Sequence, residues 1–337
     1  VIPFTPAPAL AGAYALLWKE GKPVSGFLNA LSASLILMAL MSVGFFMGWR
    51  GWMGPSEKKF LSKYIVNIAV PCTCVTGLLS NLSHDMLLQA GIMLLSVVVG
   101  IILTMLLAVA LAQLLHIPHN RWGVFVVMTG LSNTLFIGLP VCTQLFGDAC
   151  LPYVMIYYLG NTSFLQSVGI MLIQRSGTAE GTRTTVLGFL KNLLSKPPIL
   201  GVIFAILMLV LDLQLPAPVM KFAGYIGDTV SPLALIYCGY IIWEVGLRNL
   251  RLLPGLPTML VVRLAVAPLI CWGVCHLFGI SGLALQVFLV ESALPVVSQV
   301  PVLSGAFGAD EQYAATGACL STLASFISIP ILMVLIG

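Results

Sequence analysis

Residues 129–147, Thr129 to Gly147, read TGLSNTLFIGLPVCTQLFG, and the reading of this stretch decides the rest. It lies inside an apolar segment, 124–146, that is long enough to cross a bilayer. Within that segment stand Ser132, Asn133 and Thr134 in a row, then Gly138 and Pro140. A lipid-facing helix gains nothing from such residues. Pro140 removes a backbone donor and clashes with the preceding turn. Freed backbone at membrane depth persists only where protein or a water-filled cavity satisfies it again. The stretch reads either as a broken helix with polar side chains at the break or as a kinked structural span.

A second copy favours the break. Residues 290–308 read VESALPVVSQVPVLSGAFG. Pro140-Val141 is followed by Phe146-Gly147, and Pro301-Val302 by Phe307-Gly308, an offset of 161 in both cases (301 − 140; 308 − 147). The same offset carries Tyr64-Ile65 and Pro71 onto Tyr225-Ile226 and Pro232. One shift that aligns two distant pairs of segments without a gap indicates an internal repeat. Paired interrupted helices at matching positions of two halves point to the binding site of a transporter.

Composition sets the class. Of 337 residues, 59% are hydrophobic and 8% charged, and the mean hydropathy is +1.06. Soluble domains carry about 25% charged residues, so this is an all-α polytopic membrane protein with the lipid bilayer as its surroundings. The net charge of +4 reports topology, and no basic run with interleaved aromatics suits nucleic acid. Eight cysteines lie in apolar segments without metal-type spacing, and nothing implies disulfides. Cys72-x-Cys74 reads as helix packing and His116-x2-His119 as a solvated loop. No motif requires a cofactor.

Taken in order, residues 1–27 look foreign to the rest of the chain: Pro3, Pro6 and Pro8 break any early helix, and the apolar run 9–18 is too short to span. Ten spans come after them, at roughly 28–48, 60–80, 86–114, 122–146, 149–173, 197–213, 219–242, 255–278, 281–307 and 312–336. The first five form one repeat, 28–173. The linker 174–196, with four basic residues, precedes the second repeat, 197–337. Five is odd, so the second half enters from the opposite side and the repeat is inverted.

Lysine and arginine orient the chain. Arg50, Lys58, Lys59, Lys63, Arg121, Arg175, Arg183, Lys191, Lys196, Arg248 and Arg251, eleven of fifteen, fall on one side; Lys19, Lys22 and Lys221 fall on the other. This places both termini outside a plasma membrane of the bacterial inner-membrane type. The ninth-to-tenth loop, expected inside, carries Asp310 and Glu311 and no basic residue.

Arg263 and Glu291 reach the middle of the membrane, about 14 and 15 Å in from opposite faces at 1.5 Å per residue. Intramembrane charge is costly and marks function by default. The two read as a structural ion pair, or as an anion-attracting Arg263 with a proton-carrying or counter-charging Glu291. Asn67 and Asp228 occupy equivalent repeat positions (228 − 67 = 161), each four residues before a proline, and suit either repair of disrupted backbone or substrate contact. Gly160-Asn161-Thr162-Ser163 suits close helix contact or a cavity wall opposite Asn133. The N-termini of half-helices hold anionic groups, and Asn133, Thr134 and Gln299 add donors. The expected ligand is a small organic anion, most simply a carboxylate.

The runs LSKYIVNIAVP, LSNTLFIGLPVCTQLFG and ALPVVSQVPVLSGAFGADEQYAATGACLSTLASFISIP resemble the auxin efflux carrier family, which includes plant PIN carriers and bacterial malonate- and malate-type transporters. The resemblance covers 28–337, and the absence of a long hydrophilic central loop matches the compact bacterial type. It implies ten spans in an inverted repeat, with spans 1, 2, 6 and 7 as a scaffold that permits homodimers. Spans 3–5 and 8–10 would form a mobile transport domain, with substrate at the crossing of spans 4 and 9. The matching positions are Asn133, Gly138 and Pro140 in span 4, and Pro295, Val300 and Pro301 in span 9.

The leading function is thus a carrier of small organic anions working by alternating access. A sodium-coupled anion symporter of the bile-acid type, with Glu291 and Gln299 near an ion site, is the runner-up, and a non-transporting receptor a third reading. An intramembrane enzyme lacks support: the chain has no HExxH, no paired aspartate motif and no serine in a GxSxG context.

Overall fold

The computed structural model describes residues 22–81, 84–178, 194–246 and 251–336. The expectations for residues 1–21, and for the middle of the linker at 179–193, lie outside these. Among the described residues the protein is helical, with an isolated antiparallel bridge between Ser132 and Val296 as its β pairing.

The helices are α1 (Lys22–Trp49), α2 (Pro55–Asn81), α3 (His84–Leu114), α4 (His119–Gly130), α5 (Thr134–Phe146), α6 (151–176), α7 (Pro197–Val210), α8 (Ala217–Val245), α9 (Leu256–Leu277), α10 (Gly282–Ser292), α11 (Val300–Phe307) and α12 (Glu311–Ile336). Five of them, α2, α3, α8, α9 and α12, are long and apolar enough to cross a membrane. Two of the segments read as single spans are each divided, 122–146 into α4 and α5 and 281–307 into α10 and α11. The halves are therefore too short to meet a length criterion. Among the described residues the first helix begins at Lys22, six residues before the expected start of the first span.

Proline shapes these helices in a regular way. Wide π turns occupy Ile65–Ala69, Thr134–Gly138 and Val262–Val266. Each ends two residues before a proline, Pro71, Pro140 or Pro268. A proline ring clashes with the carbonyl four residues back. In all three cases the residue just before the proline donates instead to the carbonyl five back: Val70 to Ile65, Leu139 to Thr134 and Ala267 to Val262. The helix widens by one residue and continues. Pro140 therefore does not break its span. The break lies at 131–133, before the helix resumes, and Pro140 only widens the next turn.

Two groups of helices pack separately. α1 lies along α8, and α2 lies against α7 and α8. The first contact is backbone to backbone: a Cβ on Gly44 would collide with the Ile236 carbonyl, and one on Gly239 with the Met41 carbonyl. Small residues permit such approach between helices in lipid. The second group joins α3 to α4, α6 and α9, α10 to α6 and α9, and α11 to α12. Large apolar side chains face outward, among them Leu106, Leu207, Leu269 and Ile327, the last 69% exposed. An outward apolar surface suits a surrounding bilayer.

Loops meet at the ends of the bundle as the charge count requires. Arg121 Nε donates to Asp310 Oδ2 at 2.7 Å and its guanidinium lies over Tyr313, 5.1 Å from the ring centre. Lys58 pairs with Glu244 at 2.6 Å, and Gly177 lies against Phe307 and Ala309. The acidic loop at Asp310 thus sits on the same face as Arg121, whose charge offsets it.

Candidate functional site

At the centre the two breaks cross. Residues 131–133 and 293–299 are extended or irregular, and the strands pair: Asn133 N–H donates to the Pro295 carbonyl at 2.9 Å, and Asn133 Nδ2 donates to Ser298 Oγ at 2.6 Å. Asn161 on α6 clamps the first strand like a missing β partner, accepting from Ser132 N–H at 3.1 Å and donating to the Ser132 carbonyl at 2.8 Å. Ser321 on α12 accepts from Val296 N–H at 3.1 Å on the second. The backbone that the breaks release is satisfied by protein, as burial in a bilayer demands.

Four helix ends meet there. α4 and α10 arrive with their C-termini, α5 and α11 with their N-termini. In a continuous helix the Thr129 carbonyl would accept from Asn133 N–H and the Ser292 carbonyl from Val296 N–H. Those donors are spent on Pro295 and Ser321. Arg263 takes their place: Nη1 donates to the Thr129 carbonyl at 3.1 Å and Nη2 to the Ser292 carbonyl. Each C-terminus carries about −0.5 of an elementary charge. Two of them supply about one negative charge to a guanidinium that is 1% exposed. The wide turn at Val262–Val266 presents Arg263 from α9 to both ends.

Glu291 is one residue before that carbonyl but faces elsewhere. Its Oε1 accepts from Cys142 Sγ at 3.5 Å, its Oε2 has no partner among the described residues, and its exposure is 0%. A Cβ on Gly138 would lie 2.6 Å from Oε1, so the glycine makes room for the carboxyl group. Among the described residues, Arg263 and Glu291 form no ion pair.

On the N-terminal side of the crossing is a cavity of about 90 Å³. Its wall holds Ser132, Asn133 and Thr134 from the first break, Ser298 and Gln299 from the second, Asn161, Thr162 and Gln166 from α6, and Lys196 from the start of α7. Among the described residues it contains no carboxylate. Ser132 Oγ, 1% exposed, has no hydrogen-bond partner among them either, and first-turn N–H groups of α5 also lack intrahelical acceptors. The arrangement offers donors and one cation to a ligand.

Of the residues expected from sequence, Asn133, Thr134, Asn161 and Gln299 come together on this wall. Gly138 and Pro140 lie behind it in α5, and Pro301 sits in the first turn of α11. Arg263 and Glu291 lie off it. Sequence reasoning missed Lys196, Gln166 and Ser298. By sequence Lys196 counts as an inner-loop charge, and its position directly before the Pro197-Pro198 helix start is the available signal.

A crossing of two broken helices with a polar cavity at its centre defines a class, the membrane transporters. The chain belongs to the membrane transport protein family, which it matches over residues 30–333, and its likeness to the auxin efflux carriers is borne out. It is 26% identical over 316 residues to an "Uncharacterized transporter" of Methanothermobacter thermautotrophicus, covering 90% of this chain and 98% of that one. A second "Uncharacterized transporter", from Methanocaldococcus jannaschii, is 26% identical over 303 residues, covering 88% and 95%. A "Putative malonate transporter" of Rhizobium meliloti is 21% identical over 207 residues, covering 60% and 64%.

Proposed function

We propose that this integral membrane transporter carries small organic anions, carboxylates in the first place, by alternating access at the crossing. The observation that carries this reading is the cavity wall, which among the described residues holds Lys196, hydroxyl and amide side chains and no carboxylate. Charge-assisted hydrogen bonds are about twice as strong as neutral ones, and helix N-termini favour anions. Arg263 completes the electrostatics by holding the opposite helix ends, which leaves the N-terminal ends to the ligand. The name of the Rhizobium relative, a malonate transporter, agrees with a carboxylate.

In this reading α4 with α5 and α10 with α11 each make one crossing, giving ten spans in a five-plus-five inverted repeat. The group α1, α2, α7 and α8 is the scaffold, against which the remaining helices move, and it is the surface that a homodimer would use. The residues 174–196 face the cytoplasm and both termini face outside. The protein itself needs no cofactor.

The test is flux into proteoliposomes across a panel of mono- and dicarboxylates, with imposed proton and sodium gradients. Asn133→Ala should weaken anion binding about 10- to 150-fold, the equivalent of roughly 1.5–3 kcal/mol for a donor to a charged group. Pro301→Ala should impair flux while the protein still inserts. Parental flux in both variants would place the site elsewhere.

A further inference from the structure

A second cavity, of about 280 Å³, lies at the other end of the same helix interface. Its wall is formed by α2 (Thr73, Thr76, Ser80), by α5 (Leu139, Thr143), by Asp148 and by Asp228 of α8. The two cavities share helices at different heights. On α2 the crossing cavity touches Val66 and the second reaches Ser80, about 21 Å further at 1.5 Å per residue. Between them Phe136 of α5 stacks on Tyr237 of α8 with ring centres 4.9 Å apart, and Leu139, Val70 and Val230 are buried.

The charges of the two walls are opposite. Among the described residues the crossing cavity has one cation and no carboxylate; the second has Asp148 and Asp228 and no basic residue. Lys221, two turns before Asp228, lies over the Tyr225 ring at 5.9 Å and does not line it. An anion held at the crossing meets Lys196 when the site opens toward one face. When the helices shift and the site opens toward the other, it meets two carboxylates.

We infer that the carrier is asymmetric, binding its anion more tightly from the face of Lys196 than from the face of Asp148 and Asp228, with these three side chains setting the difference. This rests on the carboxylate-carrier reading. Lys196 supplies an attractive contact that is lost when the site turns away from it. The two aspartates repel the anion, which speeds its departure and raises the concentration needed to load the site from that side. The effect is Coulombic, and between partly solvated groups it weakens as salt rises.

The experiment uses the full chain in proteoliposomes of one fixed orientation, with malonate and acetate as probes and half-saturation measured from each face. The parent should show a half-saturation concentration several-fold lower from the Lys196 face, and the ratio should fall toward one as ionic strength is raised from about 10 mM to 1 M, where the Debye length drops from 30 to 3 Å. Lys196→Gln should raise half-saturation from its own face about tenfold or more. Asp148→Asn with Asp228→Asn should lower it from the other face at low salt. Equal half-saturation from both faces of the parent, or a ratio indifferent to salt and to all three changes, overturns the inference while leaving the carrier intact. Absence of flux for every carboxylate from either face overturns the carrier reading itself. The salt series needs no variant, so it decides even if a substituted protein fails to fold.

Discussion

Arg263→Leu tests how the crossing is held together. The change removes the guanidinium that donates to the Thr129 and Ser292 carbonyls. Neither carbonyl has a replacement, because Asn133 N–H is bound to Pro295 and Val296 N–H to Ser321. A hydrogen bond from a charged group contributes roughly 1.5–3 kcal/mol, so two set a loss of about 3–6 kcal/mol. Hydrogen bonds between membrane helices average nearer 0.6 kcal/mol, which would give only about 1 kcal/mol. The larger figure is expected here, since both carbonyls are helix ends and the site is closed to water. Arg263→Lys keeps the charge but not the planar fork and should recover at most one of the two bonds. Glu291→Gln in the Arg263→Leu background should rescue nothing, because the carboxyl group faces Gly138 and Cys142. The measurement is unfolding of the detergent-purified protein by denaturant, beside flux in proteoliposomes. An Arg263→Leu protein with parental stability and parental flux would refute the argument. Unchanged stability with a lost affinity for anion would instead make Arg263 a substrate ligand.

Three further outcomes are expected. Gly138→Ala should cost about 1–3 kcal/mol and slow transport, because the new methyl group would lie 2.6 Å from Glu291 Oε1 and 2.5 Å from Leu294 Cδ1; Glu291→Ala in the same chain should restore stability, and a neutral Gly138→Ala by thermal unfolding would contradict the geometry. Asn161→Leu should orphan both the N–H and the carbonyl of Ser132 at about 1–3 kcal/mol each, whereas Asn161→Asp should keep the acceptor half; equal unfolding midpoints for the two would argue against the clamp. In a chain stripped of its native cysteines, cysteines placed at Asn120 and Asp310 should react with an impermeant reagent from one face and those at Asp148 and Asp212 from the other; labelling of Asp310 and Asp148 positions from the same face would overturn the topology.

Much of this is legible along the chain. The polar run at Ser132–Thr134, its counterpart near Gln299 and the offset of 161 locate both breaks, since a polar backbone interruption in an apolar span is a local chemical fact. The position of the first break is harder to read: Pro140 looks like its cause, yet a π turn absorbs that proline and the chain leaves the helix at 131–133. For Asn161 the polar patch allows two readings, and the structure decides for the cavity wall.

What the sequence determined by itself was a membrane protein of repeated halves, its helices and its two interrupted segments, because hydropathy, proline and glycine act within a turn or two of where they stand. What only the tertiary structure decided was partnership. Arg263 and Glu291, both charged and both deep, invite pairing when depth is the sole coordinate. Their bearings around two different helices send one to the ends of α4 and α10 and the other to Gly138. Lys196 is a loop charge in the sequence and a cavity wall in the fold. It comes to lie beside Asn133, 63 residues away (196 − 133), through the way α7 meets α2 and α6, and no spacing along the chain encodes that approach.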